Sequence, residues 1–323
     1  MIHRTLKGAT TMKQTYYTHN SGSDGLPLSV LRMEPDNASE IKGIVQLVHG
    51  MNEYKERYLP FIEYLSRHGY ITVIHDHRGH GKSVRSEEDL GYFYEDGFKA
   101  LVKDIHEITV EIKKYAEELT GRKDLPLILA GHSMGSMAVR CYLRRYDSDI
   151  DKLLVIGCPS ELPGAKPGLF VIRVFKAIFG EHKRSRFIGK LVMGGYEKRF
   201  QSEGLLHSWV NSDPEEVKKY NADPLCNYLF TLNGFENLVL LTMLTYTNKG
   251  FALKNPSLPI RFYSGADDPC GVSKEAFQAA IDHLKHYGYT NISGKLYANM
   301  RHEILNEPGH AIVFEELLDF IES

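Results

Sequence analysis

The stretch LPLILAGHSMGSMAVRCYLRRY, from Leu125 to Tyr146, decides how this chain is read. Its first six residues are a short aliphatic run of strand character, and SMAVRCYLRRY has helical periodicity. Between them stands Gly131-His132-Ser133-Met134-Gly135, a G-x-S-x-G string. Composition alone yields such a string by chance in roughly one chain of this kind in seven, so the pattern gains weight only from its setting. That setting is strand, tight turn, helix. It forces the serine backbone into a sparsely populated conformation and presents the hydroxyl at a helix N-terminus. Glycines two residues before and two after the serine let strand and helix approach closely.

The same rhythm continues outward. Short apolar runs ending in Gly-bearing or polar loops occur at Gly43–Gly50, Tyr70–Asp76, Leu125–Gly131, Lys152–Gly157, Leu258–Gly265 and Ser293–Ala298. Helical patterns lie at Arg57–Arg67, Asp96–Leu119, Met134–Tyr146, Ser273–Tyr287 and Pro308–Ile321. Near-continuous apolar strands alternating with helices predict a mostly parallel, doubly wound α/β sheet covered on both faces, with its ligand site at the carboxyl ends of the strands. From Ser160 to Gly250 the rhythm stops. This stretch holds LFVIRVFKAIF, the basic HKRSRF, the single tryptophan Trp209, and Asp-Pro turns at Asp213 and Asp223. It reads as a helical insertion over the active-site edge, which divides the chain into a core of residues 1–159 and 251–323 and a cap of residues 160–250.

A serine hydroxyl needs a base, and the base needs a carboxylate to orient it and stabilise its charged form. A serine on such a strand-to-helix turn, a nucleophile elbow, sets the chain order Ser, then acid, then His. The loop after Leu258–Gly265 supplies Ala266-Asp267-Asp268-Pro269, and the loop after Ser293–Ala298 supplies Asn299-Met300-Arg301-His302. His302 is the expected base, because His283 and His286 sit in a helical pattern and His310 opens the last helix. Adjacent aspartates point in different directions, so only one can serve. Asp268 is favoured because Pro269 biases its predecessor toward extended backbone; Asp267 stays open as the alternative on chemistry alone. The backbone N–H groups of Met134, after the nucleophile, and Met51, after His49-Gly50, are the expected donors to a developing oxyanion.

Composition narrows the field. Thirty-nine Lys+Arg against 41 Asp+Glu in 323 residues leave a net charge of −2, which speaks against a strongly basic nucleic-acid binder. Hydrophobic residues at 42% and charged residues at 25% are ordinary globular usage, which excludes disordered and low-complexity classes. Cys141, Cys158, Cys226 and Cys270 are too scattered for a disulfide framework or a zinc site, so a reducing, cytoplasmic setting is expected. The first twenty-five residues lack a signal's apolar core, and Met12 is an alternative start after a weakly ordered tail. Three tempting strings fail. His75-Asp76-His77-Arg78-Gly79-His80 has glycine where a zinc pattern needs aspartate, Gly81-Lys82-Ser83 lacks the upstream glycine of a phosphate loop, and His302-Glu303 meets Asn306 where HExxH needs histidine. Neither metal nor cofactor is expected.

With these residues in place the chain resembles the α/β-hydrolase superfamily, and within it the lysophospholipase and monoacylglycerol lipase-like branch. The resemblance rests on Leu47-Val48-His49-Gly50-Met51 with Glu53, Arg57 and Tyr58, on Asp76 to Ser83, on Gly131 to Gly135, on Gly265 to Pro269 and on Arg301 to Glu307. The cap string Asp223-Pro224-Leu225-Cys226, with Phe230-Thr231, is also similar. It implies a sheet of about eight strands, selects Asp268 through the G-x-x-D-P acid loop, and implies hydrolysis of a carboxylic ester in a single-chain, lipid-like substrate. Ser136-Met137 and Cys270 depart from the small aliphatic residues usual in relatives. Alternatives on the same triad are a small-ester carboxylesterase, a thioesterase or an S33-like aminopeptidase, the last wanting a cap carboxylate from among Glu181, Glu197, Glu203, Glu215 and Glu216. A non-catalytic binding module is a further alternative. The basic, apolar LFVIRVFKAIF-to-HKRSRF segment also admits transient contact with an anionic membrane surface. Substrate headgroup, chain length and oligomeric state are left open by the sequence.

Overall fold

A computed structural model describes residues 12–162 and 164–323. The expected tail before Met12 lies outside the described residues. The chain opens with a hairpin, β1 (Met12–Asn20) and β2 (Pro27–Pro35), then β3 (Gly43–Val48), α1 (Leu59–Arg67), β4 (Tyr70–His75), α2 (Gly97–Thr120), β5 (Leu127–His132), α3 (Met134–Tyr146) and β6 (Lys152–Ile156). Four helices follow before the sheet resumes: α4 (Ala165–Phe179), α5 (Arg186–Arg199), α6 (Pro214–Ala222) and α7 (Leu232–Thr245). The chain closes with β7 (Ile260–Gly265), α8 (Lys274–His286), β8 (Ile292–Tyr297) and α9 (His310–Glu322).

Among the described residues the strands form one eight-stranded sheet in the order β1-β2-β4-β3-β5-β6-β7-β8. β1 and β2 run antiparallel to their neighbours, and β3 to β8 are mutually parallel. The expected α/β-hydrolase architecture is therefore the observed one. The hairpin β1–β2 is a finding beyond the six runs read from the sequence. As an antiparallel edge, β1 is largely polar and alternates half-buried with exposed positions over most of its length, instead of showing the continuous apolar run of a buried parallel strand.

Successive strand residues point to opposite faces, and the core follows that alternation. Ile44, Val48, Leu127, Leu129, Leu153 and Val155 pack under α2 and α3, against Ile105, Ile108 and Val139. Val45, Leu47, Ile128, Ala130, Leu154 and Ile156 pack on the other face against α1 and α9, with Phe61, Leu65, Phe314 and Leu317. α7 is buried on most of its surface, and its Phe235, Leu238 and Leu241 belong to the same cluster as α2 and α3. The segment between β6 and β7 is thus packed into the main core through α7, while α4 and α5 reach outward. No helix among the described residues is long and apolar enough to cross a membrane.

β3 lies between β4 and β5, so the connection after β3 turns one way across the sheet and the connection after β4 the other. This is the topological switch point, where parallel sheets open a crevice beyond the strand ends. The loop after β3 and the turn after β5 meet there.

Candidate active site

Ser133 sits between β5 and α3 with φ 53° and ψ −117°, outside the regions that L-residues favour. Strain of this kind costs of order 1–3 kcal/mol and persists only where packing enforces it. The enforcement is visible at the two flanking glycines. A Cβ on Gly131 would stand 2.5 Å from the Gly135 carbonyl oxygen, and one on Gly135 would run into the Val48 carbonyl. Ser133 N–H donates to Ile156 O at 2.9 Å, and the Ser136 hydroxyl donates to Ser133 O at 2.7 Å, pinning the turn from both sides.

The loops after β7 and β8 arrive from the same sheet edge. His302 Nε2 lies 2.7 Å from Ser133 Oγ, and His302 Nδ1 lies 2.8 Å from Asp268 Oδ2. Asp268 is buried, and its Oδ1 accepts from the Cys270 N–H at 2.8 Å, which fixes the carboxylate with one oxygen free for the imidazole. With Asp268 ionised, Nδ1 carries the proton and Nε2 is the acceptor of the serine hydroxyl. Asp267 faces the other way, toward Arg199 at 3.3 Å near the surface. The structure brings Ser133, His302 and Asp268 together and leaves Asp267 out. His283 and His286 lie on α8 and His310 at the start of α9.

Met134 opens α3, so its N–H is among those a helix leaves without an intrahelical acceptor. The loop after β3 passes so close that a Cβ on Gly50 would lie 2.9 Å from Ser133 Cβ. Met51 and Met134 therefore flank the serine, and both line the same cavity.

A buried cluster beneath these loops is only partly legible in the sequence. Glu53 Oε1 accepts from the Gly50 N–H, from Tyr58 Oη at 3.0 Å and from His132 Nδ1 at 2.8 Å. His132 Nε2 lies 3.1 Å from the His302 carbonyl. Both partners of His132 are acceptors, so both ring nitrogens must carry protons for both bonds to form. Burial pushes the His132 pKa down, but the Glu53 charge and hydrogen bond outweigh it and hold the pKa above the usual histidine value. Burial likewise raises Glu53, and His132 overcomes it to bring the carboxyl down to about 2. The result is a buried ion pair tying the loop after β3 to the elbow and to the histidine loop. Glu53 belongs to the motif read from the sequence; His132, at a nominally free position beside the nucleophile, carries no signal of its own.

The helical segment grips the histidine loop. Glu303 N–H donates to Val210 O at 2.9 Å, Arg301 and Ser212 N–H groups both donate to Glu307 at 2.8 and 3.0 Å, and the Trp209 ring lies 5.1 Å from the His302 ring. Next to the serine is a cavity of about 810 Å³. Its lining includes the apolar Met137, Leu229, Phe235, Leu238 and Val239 as well as Glu53, Glu197, His207, Trp209 and Glu303. The wall carboxylates are engaged: Glu53 with His132, Glu303 with Arg57, and Glu197 with the Trp209 indole N–H at 3.0 Å. Of the cap acids expected to matter for an ammonium group, Glu181 contacts Tyr92, Glu203 pairs with Arg301, and Glu215 and Glu216 pair with lysines on the surface of α6.

His75, His77 and His80 are buried and pack ring to ring with His49 in a tight turn held by Gly79 and Gly81 at positive φ.

Comparison with known proteins finds hydrolases. Residues 39–309 match the family model Hydrolase_4, described as serine aminopeptidase, S33. A monoacylglycerol lipase of Mycolicibacterium smegmatis is 26% identical over 286 residues, covering 87% of this chain and 89% of that one. A thermostable carboxyl esterase from Bacillus coagulans, solved with glycerol, superposes with a TM-score of 0.83 at 25% identity over 97% of this chain and 99% of the other. A monoglyceride lipase from Saccharomyces cerevisiae shares the fold, with a TM-score of 0.72 at 19% identity over 97% and 96% of the two chains.

Proposed function

The chain belongs to the Hydrolase_4 family, serine aminopeptidase S33, of α/β-hydrolase fold, and from that premise we propose that it is a serine ester hydrolase acting on a lipid-like substrate such as a monoacylglycerol or lysophospholipid. The observation that carries this reading is the hydrogen-bonded chain Ser133–His302–Asp268 beside a cavity whose lining is rich in apolar side chains. Ser133 Oγ attacks the ester carbonyl carbon as its proton passes to His302 Nε2. Asp268 holds the imidazolium through Nδ1, and the Met51 and Met134 N–H groups receive the oxyanion. Collapse expels the alcohol, which takes the proton from His302, and leaves the acyl group on Ser133. Water, deprotonated by the same histidine, then releases the carboxylic acid. The acyl chain lies against apolar lining residues such as Met137, Leu229, Leu238 and Val239.

A second reading, aminopeptidase action, is favoured by one observation: Glu197 lines the cavity as a carboxylate with no Lys or Arg partner among the described residues. Fluorophosphonate labelling of wild type and Ser133→Ala, alongside hydrolysis of p-nitrophenyl esters from acetate to palmitate, monoacylglycerols and aminoacyl p-nitroanilides, separates the readings. Labelling lost in the variant, with a rate maximum at medium or long acyl chains, is the expected result. Turnover confined to the anilides would move the assignment to peptidase chemistry, and an unlabelled wild type would overturn both. The four buried, unbridged cysteines support a cytoplasmic setting, which subcellular fractionation tests.

A further inference from the structure

The loops after β7 and β8 bring a third donor against the catalytic pair. One ligating atom each of Asp268, Cys270 and His302 lie within 4.8 Å of one another, and all three side chains are buried. Serine chemistry accounts for the contact between Asp268 and His302 but gives the thiol no part. Of the four unbridged cysteines, Cys270 is the one that lines the cavity beside Ser133. Its place is set by the backbone. Asp268 caps the short turn Pro269–Gly271 by accepting the Cys270 N–H at 2.8 Å, so the chain folds the cysteine back onto the carboxylate. The donors come from two separate loops, and no spacing motif in the sequence marks them.

Thiolate, imidazole and carboxylate together are a donor set for Zn²⁺, whereas Mg²⁺ and Ca²⁺ take oxygen ligands. Metal–ligand bonds of about 2.0–2.3 Å put tetrahedral ligands roughly 3.3–3.7 Å apart. His302 Nδ1 and Asp268 Oδ2, now 2.8 Å apart, have to open by about half an ångström, and the thiol has to close in by about 1 Å. Charge balances as well, because a carboxylate and a thiolate together neutralise a dication in a buried place. Trp209, Val210 and Tyr196 pack in one cluster with Cys270 and shield the position from bulk water. The cavity, which both Cys270 and His302 line, gives the ion its entry path and has room for a water as fourth ligand.

We propose that Cys270, Asp268 and His302 form an inhibitory binding site for Zn²⁺. The ion takes the place of the proton between His302 Nδ1 and Asp268 Oδ2, and the Nδ1 proton and the thiol proton pass to solvent as the bonds to nitrogen and sulfur form. His302 is then tied to a cation, its Nε2 loses the basicity that accepts the Ser133 proton, and turnover stops until the ion leaves. Zinc here is an inhibitor and not a requirement of the reaction. The inhibition rests on the triad reading; the binding does not, because the Ser133→Ala protein keeps all three ligands.

Two measurements on the full chain test this. Cadmium, a spectroscopic substitute for zinc, is titrated into Ser133→Ala protein and followed by its sulfur-to-metal charge-transfer absorbance in the ultraviolet. One equivalent should bind, the band should vanish when Cys270→Ser is added, and His302→Ala should weaken binding by more than about tenfold, the least that even an outer partner of a metal site is worth. Zinc is titrated against wild-type turnover of p-nitrophenyl acetate, with magnesium as the comparison cation. Zinc alone should inhibit, and EDTA should restore the rate. Cys270→Ser and Cys270→Val, each measured against its own zinc-free rate, should raise the half-inhibiting zinc concentration by more than about tenfold, whereas Cys226→Ser should not. The absence of a cadmium band, a band that survives Cys270→Ser, or inhibition that the Cys270 variants share would overturn the proposal. So would cadmium bound at Cys270 without zinc inhibition, since His302 would then be no ligand. A wild type that turns over no ester would refute the triad reading, and the cadmium titration would still decide the site.

Discussion

Lowering the pH should unfold this protein through the histidines packed below its catalytic loops. His49, His75, His77 and His80 are fully buried. Burial pushes His75 down to about 3 and His80 down to about 4, and it holds His49 and His77 well below the ordinary 6.5. The Nδ1 of His75 and the Nε2 of His80 have no hydrogen-bond partner among the described residues, so a proton placed there would be a buried charge without an acceptor. For a group whose folded pKa is depressed, its contribution to stability is fully present above the unfolded pKa and is lost as pH falls toward the folded one. The window therefore opens at 6.5 and closes near 4 for His80 and near 3 for His75. At about pH 5 each has lost about 1.5 pH units at about 1.4 kcal/mol per unit, or roughly 2 kcal/mol. Together the two cost about 4 kcal/mol, a large part of a typical total of about 5–15 kcal/mol, and His49 and His77 act in the same direction. His132, whose pKa is raised, contributes with the opposite sign. Urea unfolding followed by far-ultraviolet circular dichroism between about pH 7.5 and 5 measures the slope, with His80→Gln as the control that should remove about one proton from it. A stability that stays level across this range in wild type would refute the reasoning.

Three further outcomes follow from the site. Asp268→Asn should lower kcat by about 10⁴, the scale seen when a triad loses its carboxylate, whereas Asp267→Asn should leave ester turnover within about twofold, since an exposed ion pair such as its contact with Arg199 is worth little. Glu53→Gln leaves His132 as a buried cation without its counterion and the Gly50 N–H without its anionic acceptor; it should cost about 3–5 kcal/mol in urea unfolding and lower kcat more than it raises KM. Leu238→Trp adds bulk to the apolar part of the cavity lining, so the p-nitrophenyl ester profile should shift to shorter chains while acetate turnover is retained.

The α/β-hydrolase fold is legible in the sequence because its signals are local. A buried parallel strand must be apolar on both faces, a helix must repeat every 3.6 residues, and the Gly131–Gly135 turn needs small residues where strand and helix touch. The helix read at Met134–Tyr146 is observed over those same residues, and the other four agree to within two residues at each end. The β1–β2 hairpin gives no comparable signal, because an edge that is half in water shows no continuous apolar run.

Local sequence thus carries the order of elements and the residue types at the carboxyl ends of the strands, including Ser133, the Asp267-Asp268 pair and His302. Direction and neighbourhood come from tertiary packing. The turn after β7 aims Asp268 inward and Asp267 outward, a choice made by loop geometry and not by composition. The His132 proton is held by Glu53, 79 residues away, and a charge state set by such a contact has no local signature. The apolar residues of α4 and α5 read like core residues in sequence. α4 packs on α7, which itself lies against α2 and α3, so the outer side of α4 is left uncovered, because burial is a property of the packed arrangement and not of the residue.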